Sequence, residues 1–329
     1  MPAEKKRNGQ KIVSRRVTGM GGRRSEMQKR YIDLHTDTAS AVFDRKKSIE
    51  ANDLHVDLRR AEMIGEYIPF LTLFTDSSRH EMKGRYEELS ENLLREAEGR
   101  VGFVASGEEL KEVRGKGLLP AMRAVEGAEM LLSDPDRMKR AARDDALLMS
   151  GITWNNPNPL WWENGLTEKG RAYVSACAEA GVAVDVSHLN DAGTMEILSM
   201  GIPAVASHSD ARALCQVRRN LPDDLIRHIG QNGGLIGMNF CASFIAPDPE
   251  DQTLRRLAEH AAHIAEIAGT GVLALGTDFD GAQLPRNVHG VQDLPLFAEA
   301  LSDLGFSPLE IDGLCYGNAF RYFFEERKG

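Results

Sequence analysis

The stretch that decides the fold is YIDLHTDT, residues 31–38. Its first four residues form a short apolar run with the length and composition of a buried strand. His35 and Asp37 stand at the end of that run, one residue apart, and alternate side chains of a strand point to the same side. In a barrel of parallel strands, chemical groups gather at the carboxyl ends of the strands. The stretch therefore predicts a parallel sheet with a polar site at its edge.

Eight such apolar runs alternate along the chain with segments of helical period. The runs are residues 31–34, 67–74, 118–125, 146–153, 182–187, 204–207, 234–240 and 272–277. Between them, Thr167 can cap a helix that ends at Gly181, and Asn190 or Asp191 can cap a helix that ends near Gly201. Pro222 begins another helix, and residues 249–269 have the length of a further one. Eight parallel strands in 329 residues fit a closed (β/α)8 TIM-like barrel better than an open doubly wound sheet, which stays the alternative.

Composition separates a short basic region from an acidic remainder. Residues 1–30 hold ten Lys or Arg against two Glu, whereas the whole chain has a net charge of −9. The glycines there and the lack of interleaved aromatic residues favour a flexible extension over a nucleic-acid-binding arm, and the acidic remainder argues against phosphate-backbone binding. No repeat or linker divides residues 31–329, so we expect one catalytic barrel domain there.

Several sequence features predict the location of the protein and the state of its cysteines. No apolar run approaches the roughly 18 to 20 residues of a membrane span, and no secretory signal opens the chain, which predicts a cytoplasmic protein. The four cysteines form no C-x-x-C pair, so reduced and mostly buried thiols are expected.

Metal-ligating residue types follow five of the eight runs. They are His35 with Asp37 after the first, Glu126 after the third, His188 after the fifth, His208 after the sixth and Asp278 after the eighth. Imidazole nitrogen and carboxylate oxygen are ligands of zinc and neighbouring metals. Four outer ligands and a central carboxylate exceed one open zinc site, so two ions sharing Glu126 are predicted. His35 and Asp37 hold one ion in this prediction, and His188 and His208 hold the other.

Water activated at such a site predicts hydrolysis. Asp278 is the remaining candidate for transferring the proton from the water to the leaving amine. Asp280 is expected to anchor its loop through backbone N–H groups. The other histidines are interpreted as ordinary surface or structural residues: His55, His80, His228, His289, and the pair His260 and His263, which share a helix face without a nearby carboxylate partner.

As a set, eight segments resemble the membrane (renal) dipeptidase family of zinc peptidases over residues 31–325. They are HTD (35–37), VEGA (125–128), GLTEKGR (165–171), DVSH (185–188), SHSDARAL (207–214), RRNLPDD (218–224), GGLIGMNF (233–240) and GTDFDG (276–281). The resemblance implies a barrel of the metal-dependent hydrolase type with two zinc ions that cleaves dipeptides. It implies the same five ligands, with Glu126 as the bridge and Asp278 as the acid/base residue.

The resemblance also implies substrate-binding residues. Arg219 would receive the carboxylate of the dipeptide, and Asn239 and Phe240 would line the pocket. Trp154 stands where the mammalian members carry a histidine, which changes the substrate contacts because indole donates one hydrogen bond and cannot titrate. A small dipeptide is the expected partner. No membrane partner is expected, and a homodimer stays open.

Three other functions stay open at this point. The same metals could act on another small amide, such as a cyclic amide or an acylated amino acid, and Arg219 discriminates because a neutral cyclic amide does not need it. A catalytically silent metal-binding barrel would bind zinc without turnover. Nucleic-acid binding through residues 1–30 would depend steeply on salt.

Overall fold

Eight parallel strands form the centre of the fold in a computed structural model that describes residues 29–156 and 158–326. In chain order they are β1 (Arg30–Thr36), β2 (Glu66–Leu73), β3 (Leu119–Val125), β4 (Leu147–Gly151), β5 (Ala183–Asp185), β6 (Ala204–Ala206), β7 (Leu235–Met238) and β8 (Leu273–Leu275). Each strand pairs in parallel with the next, and Asp33 of β1 pairs with Leu275 of β8. That last pairing closes the sheet, so the predicted (β/α)8 barrel is confirmed.

Most helices lie between consecutive strands, as the alternation predicts, and Leu294–Asp303 and Pro308–Asp312 follow β8. Those before β5 are Thr38–Asp44, Leu58–Met63, Arg85–Ala97, Gly107–Gly115, Pro135–Asp145 and Glu168–Glu179. The later ones are Asp191–Ser199, Asp223–Gln231, Ala242–Ile245, Leu254–Ala268, Leu294–Asp303 and Pro308–Asp312. Thr167 and Asn190 each accept a hydrogen bond from the backbone N–H of the third residue of their helix, which confirms both predicted caps.

The strands near the site end earlier than the apolar runs. β5, β7 and β8 each stop two residues before the predicted end. The reason is that side-chain carboxylates, in place of the carbonyl groups of the neighbouring strand, accept hydrogen bonds from the backbone N–H groups at these strand ends. The backbone N–H of Ser187 donates to Asp185, that of Asn239 to Asp210, and that of Thr277 to Asp33. The chain therefore leaves the ladder where the polar residues begin.

Apolar side chains fill the barrel and separate it from its helices. Inside lie residues such as Ile32, Phe70 and Val205, all fully buried. The C-terminal segment closes the far end of the barrel, where the ring of Phe323 lies 5.0 Å from that of Phe70. The amino end of the barrel is thus packed, and polar residues concentrate at the carboxyl end.

Two small elements were not predicted. Val101–Phe103 forms a short parallel strand beside β3, and Trp161–Trp162 pairs with Gly165–Leu166 in an antiparallel hairpin. Strands of two or three residues carry too little periodicity to detect. The hairpin lies between β4 and the helix Glu168–Glu179, in a connection at the carboxyl end of the barrel.

The structure describes only part of the regions for which the sequence made predictions. The basic extension, residues 1–30, lies almost wholly outside the described residues. Within residues 29–156 and 158–326, no helix combines the length and apolar character that crossing a membrane requires. Three of the four cysteines are buried, and Cys241 is partly exposed.

Candidate metal centre

The carboxyl ends of four strands bring together three imidazoles and a carboxylate. Oε1 of Glu126 lies 2.7 Å from Nε2 of His188, 3.4 Å from Nε2 of His208 and 3.7 Å from Nε2 of His35. Each of these side chains is less than 10% exposed. Glu126 therefore occupies the central position that the sequence analysis assigned to it.

The potential ligands form three overlapping groups, one of which contains that carboxylate. In that one, ligand atoms of Glu126, His188 and His208 lie within 4.8 Å of one another. In a second, His35, Asp37 and Asp278 do so within the same limit. A third set joins His35 and His208 to Asp185. The first two groups have the composition expected for two cation sites. Asp278 belongs to the second group, so it lies as close to His35 and Asp37 as a further ligand would.

The site contains buried polar atoms that nothing in the described residues satisfies. Both ring nitrogens of His35 and Oδ1 of Asp37 are buried without a hydrogen-bond partner among residues 29–156 and 158–326. An unsatisfied buried donor or acceptor costs about 1–3 kcal/mol, so such atoms are rare. A cation coordinated by these atoms removes the penalty. The residues present therefore fit a divalent metal.

His208 is held by a chain of hydrogen bonds. Its Nδ1 lies 2.7 Å from Oγ of Ser207, which donates to Oδ2 of Asp185 at 2.6 Å. Because the Ser207 proton goes to Asp185, the hydroxyl accepts the Nδ1–H of His208. The lone pair of His208 is then on Nε2, the atom that faces Glu126. A partner of this kind orients a metal-binding imidazole and increases its basicity.

His188 is held in a similar way by Asn155. Nδ1 of His188 lies 3.0 Å from Oδ1 of Asn155, which can only accept. The lone pair of His188 is therefore also on Nε2. Asn155 adopts a left-handed backbone with φ of 56°, a conformation that asparagine tolerates better than most residues.

Electrostatics keep the two histidines in the metal-binding form. Burial lowers the pKa of His188 well below its ordinary value, and the charge of Arg219 lowers it further. Burial likewise lowers the pKa of His208, with a contribution from His35. Burial opposes protonation of His35 as well, but Glu126 and Asp37 outweigh it and raise its pKa to about 10. The neighbouring carboxylates thus favour a positive charge at His35.

Asp278 has the properties of a proton-transfer group. Burial raises its pKa to about 6, with His35 opposing and Asp37 adding to the shift. Its backbone has φ of 59° and its N–H donates to the carbonyl of His35 at 3.1 Å. The amide of Asn239 donates to Oδ2 of Asp278 at 3.3 Å. A carboxyl group with a pKa near neutrality can both accept and release a proton.

A cavity of about 600 Å³ opens over these residues. Its wall includes Asp37, Glu126, His188, Arg219, Trp154 and Asp278. The Trp154 ring lies 4.9 Å from that of Phe74 and 6.0 Å from that of His188. The cavity therefore joins the metal-binding side chains to a cation on one side and an aromatic surface on the other.

Arg219 is fixed against the histidines. Its guanidinium donates to the carbonyls of Ser187 and His208, and Nη2 lies 3.2 Å from Nε2 of His188. Its Nε is buried and has no hydrogen-bond partner among the described residues. The side chain thus points into the site, whereas most arginine side chains point into solvent.

Asn239 and Phe240 were expected to line the pocket, but neither belongs to the wall of this cavity. Asn239 is fully buried below the cavity, where its amide donates to the carbonyl of His208 as well as to Asp278. Phe240 packs in the core, with its ring 5.2 Å from that of Phe297. Both residues lie where β7 leaves the ladder, so the strand end alone did not show which way they turn.

Several residues that support the site were not singled out from the sequence. They are Asn155, Asp185, Ser207 and Asp210, which contact His188, His208 or Asn239. Three of them, Asp185, Ser207 and Asp210, lie inside DVSH and SHSD, so the only signal was their position next to predicted ligands. Ser and Asp are common at strand ends for turn formation, which hides such a role.

The remaining histidines lie away from the metal groups. His55 packs against Asp280, which accepts the backbone N–H of His55 at 2.6 Å and so anchors its loop as expected. His260 is fully buried between two backbone groups. His263 was expected to have no carboxylate partner, but its Nε2 lies 2.9 Å from Oδ1 of Asp223. That carboxylate is 40 residues away along the chain, so the sequence did not place it nearby.

The chain can now be compared with known proteins. A family model described as membrane dipeptidase, peptidase family M19, matches residues 24–328. The chain belongs to the membrane dipeptidase family. Membership in this peptidase family, together with the donor groups above, indicates the use of divalent metal ions.

Two solved structures share the fold of this family member. A crystal structure of dipeptidase AC, a metallopeptidase of family M19, has a TM-score of 0.79 at 24% identity and covers 92% of this chain and 99% of its own. A metallopeptidase from Rhodobacter sphaeroides, bound to a phosphinate mimic of the dipeptide L-Ala-D-Ala, has a TM-score of 0.76 at 24% identity and covers 92% of this chain and 100% of its own. At this identity the likeness shows the barrel fold that both share.

Sequence relatives match part of the chain. An uncharacterized dipeptidase of Schizosaccharomyces pombe is 32% identical over 160 residues, which are 48% of this chain and 39% of that protein. The chain spans less than two thirds of the length of each of the first curated relatives it matches.

Proposed function

We propose that this protein is a zinc-dependent dipeptidase that hydrolyses the peptide bond of dipeptides at a binuclear site. The observation that carries the proposal is the set of buried, unsatisfied atoms of His35 and Asp37 beside Glu126, His188 and His208. Family membership and the dipeptide mimic bound by the Rhodobacter relative support the substrate class. The proposal takes residues 31–329 as the single catalytic barrel domain.

The proposed ligands are divided between two zinc ions. His35 and Asp37 would hold one ion, His188 and His208 would hold the other, and Glu126 would be shared between the two. Mixed imidazole and carboxylate donors are typical of zinc sites. When bound, the ions supply the positive charge that activates a water near neutral pH and polarises the substrate carbonyl.

Asp278 transfers the proton in this proposal. Its carboxylate accepts a proton from the attacking water and then donates it to the leaving amine. Asn239 holds Oδ2 of Asp278 through its amide, so we assign Asn239 a positioning role in place of a pocket-lining one. Because Asp37 lies near Asp278, the charge of one carboxylate favours protonation of the other.

Arg219 binds the terminal carboxylate of the dipeptide. A guanidinium presents a planar pair of donors that matches a carboxylate, and Nε of Arg219 is buried without a partner among the described residues. Trp154 forms the aromatic wall for a substrate side chain. With an indole where mammalian members have an imidazole, this wall is apolar and offers one donor.

The test combines metal content with turnover. The full chain, purified without chelator, is expected to contain about two zinc ions by elemental analysis and to release free amino acids from a dipeptide panel. L-Ala-L-Ala amide serves as the matched substrate without a carboxylate, and its kcat/KM should be far lower. Two bound ions without dipeptide cleavage would indicate that the substrate is another amide. The absence of bound metal would overturn the proposal. Cytoplasmic location and a homodimer stay predictions.

A further inference from the structure

A second cavity adjoins the metal-site cavity and extends it to one side. Its volume is about 560 Å³. The two cavities share five wall residues: Arg45, Asp280, Gly281, Ala282 and Gln283. The second cavity, called the side branch below, continues to His55, Leu284 and Val288. A bound dipeptide could therefore extend one of its side chains from the metal site into the branch.

Arg45 is an uncompensated cation at the junction. It is exposed, and among residues 29–156 and 158–326 its guanidinium has no ion-pair or hydrogen-bond partner. The nearest carboxylate in sequence, Asp44, pairs instead with Arg85 at 2.7 Å. Arg45 is thus available to an anion that enters either cavity.

The acidic residue of the branch is turned away from it. The Asp280 side chain is 1% exposed, and its oxygens accept the backbone N–H of His55 and the hydroxyl of Thr38, each at 2.6 Å. Those bonds commit the carboxylate to Thr38 and to the backbone of His55. It therefore does not neutralise Arg45 at the cavity surface.

The other polar groups of the branch are able to donate. Nδ1 of His55 accepts the backbone N–H of Asp280 at 2.9 Å, so the ring carries its proton on Nε2. The amide of Gln283 adds two further N–H groups. Leu284 and Val288 supply apolar surface between them. A cation, N–H donors and apolar methyl groups together suit a short aliphatic chain that ends in a carboxylate.

We infer that the side branch binds the side-chain carboxylate of an acidic residue in the substrate, and that Arg45 is the specificity-determining cation. This inference rests on the proposed dipeptidase function and narrows its substrate class to dipeptides that contain Glu or Asp. Arg219 stays assigned to the terminal carboxylate. The two arginines therefore recognise two different carboxylates of one substrate.

The test uses isosteric substrate pairs on the zinc-loaded full chain. Values of kcat/KM are measured for Ala-Glu against Ala-Gln and for Glu-Ala against Gln-Ala, in both stereochemistries of the second residue. In the wild type the acidic member of one pair is expected to lead by about tenfold, since charge-assisted hydrogen bonds are worth more than neutral ones. Arg45→Gln should bring that ratio close to one, and Arg45→Lys should retain part of it.

Lys46→Gln is the matched control, because it removes a positive charge one residue away at a position outside both cavity walls. It should retain the acidic preference. Raising salt should reduce the preference in the wild type, since Arg45 is exposed. A wild-type ratio near one for both pairs overturns the inference, as does an equal loss of Ala-Glu and Ala-Gln cleavage in Arg45→Gln. Failure to cleave any dipeptide would instead reject the proposed function itself.

Discussion

Nε2 of His188 and Nε2 of His208 lie 3.0 Å apart, although neither atom carries a proton to share. The proton of each ring is on the other nitrogen: Nδ1 of His188 donates to Asn155, and Nδ1 of His208 donates to Ser207. Two lone pairs that face each other beside the carboxylate of Glu126 repel. Of the two nitrogens, the guanidinium of Arg219 contacts only Nε2 of His188, at 3.2 Å, so a cation between them is still needed to remove the repulsion. This relationship indicates a metal ion more directly than the presence of histidines does.

The first prediction concerns metal removal. His188→Ala is expected to reduce zinc content from two ions to about one per chain, because only one proposed site loses a ligand. A chelator should lower the melting temperature of the wild type, since bound metal stabilises the folded state. Elemental analysis and calorimetry measure both effects. His228→Ala, at a half-buried histidine away from the metal groups, should leave metal content unchanged, and two ions retained in His188→Ala would contradict the ligand assignment.

The second prediction concerns the hydrogen bond behind His208. Ser207→Ala removes the acceptor that fixes the tautomer of His208, so zinc affinity should fall about 10- to 100-fold. A competition titration against a zinc-binding dye measures the affinity. Ser209→Ala is the control, because the Ser209 hydroxyl is buried without a partner among the described residues. Equal affinities in the two variants would show that Ser207 does not orient the ligand.

The third prediction separates chemistry from metal binding at Asp278. Asp278→Asn keeps the shape of the side chain but cannot take a proton, so kcat should fall about 10²- to 10⁴-fold while zinc stays bound. Steady-state kinetics and elemental analysis on the same preparation measure both quantities. Asn239→Ala should lower kcat by a smaller factor, because it removes only the donor to Oδ2. Full activity in Asp278→Asn would rule out its proposed role.

The sequence predicts much of this site for a physical reason. A parallel strand must be apolar while it lies in the barrel, so the first titratable residue after each run marks the strand end and hence the site. That reasoning located His35, Glu126, His188, His208 and Asp278 at one edge of the barrel. The fold was predictable on the same basis, because eight apolar runs alternated with other segments, and four of the runs were followed by a segment with a recognisable helix start or helix length.

Other parts of the site depend on contacts between distant residues. Arg219 lies 13 residues beyond the end of β6, too far along the loop for the strand end to indicate it, so only the resemblance identified it. The hydrogen bond from His188 to Asn155 and that from Asn239 to Asp278 join residues 33 and 39 positions apart. No local pattern encodes such pairs. The direction in which Asn239 turns was likewise decided by Asp210, which takes its backbone N–H.

The last prediction concerns stability at acid pH and lies outside the metal site. His260 is fully buried, with Nδ1 accepting the N–H of Ala211 at 3.1 Å and Nε2 donating to the carbonyl of Ile245 at 2.8 Å. Burial lowers the pKa of His260 to about 4, from an ordinary value near 6.5. Above pH 6.5 the imidazole is neutral in both states, so it contributes no pH dependence there.

As the pH falls from 6.5 toward 4, the unfolded chain takes up a proton at this position and the folded protein does not. The free energy of unfolding should therefore decrease over that range, by up to about 3 kcal/mol from this residue. His260→Gln should remove this part of the pH dependence, because an amide can keep both hydrogen bonds without titrating. Urea unfolding of chelator-treated proteins from pH 7 to pH 4 measures the difference, with His80→Gln at an exposed position as the control. If His260→Gln follows the same pH curve as the wild type, the buried imidazole does not account for acid destabilisation, and the carboxylates and histidines of the metal site must account for it instead.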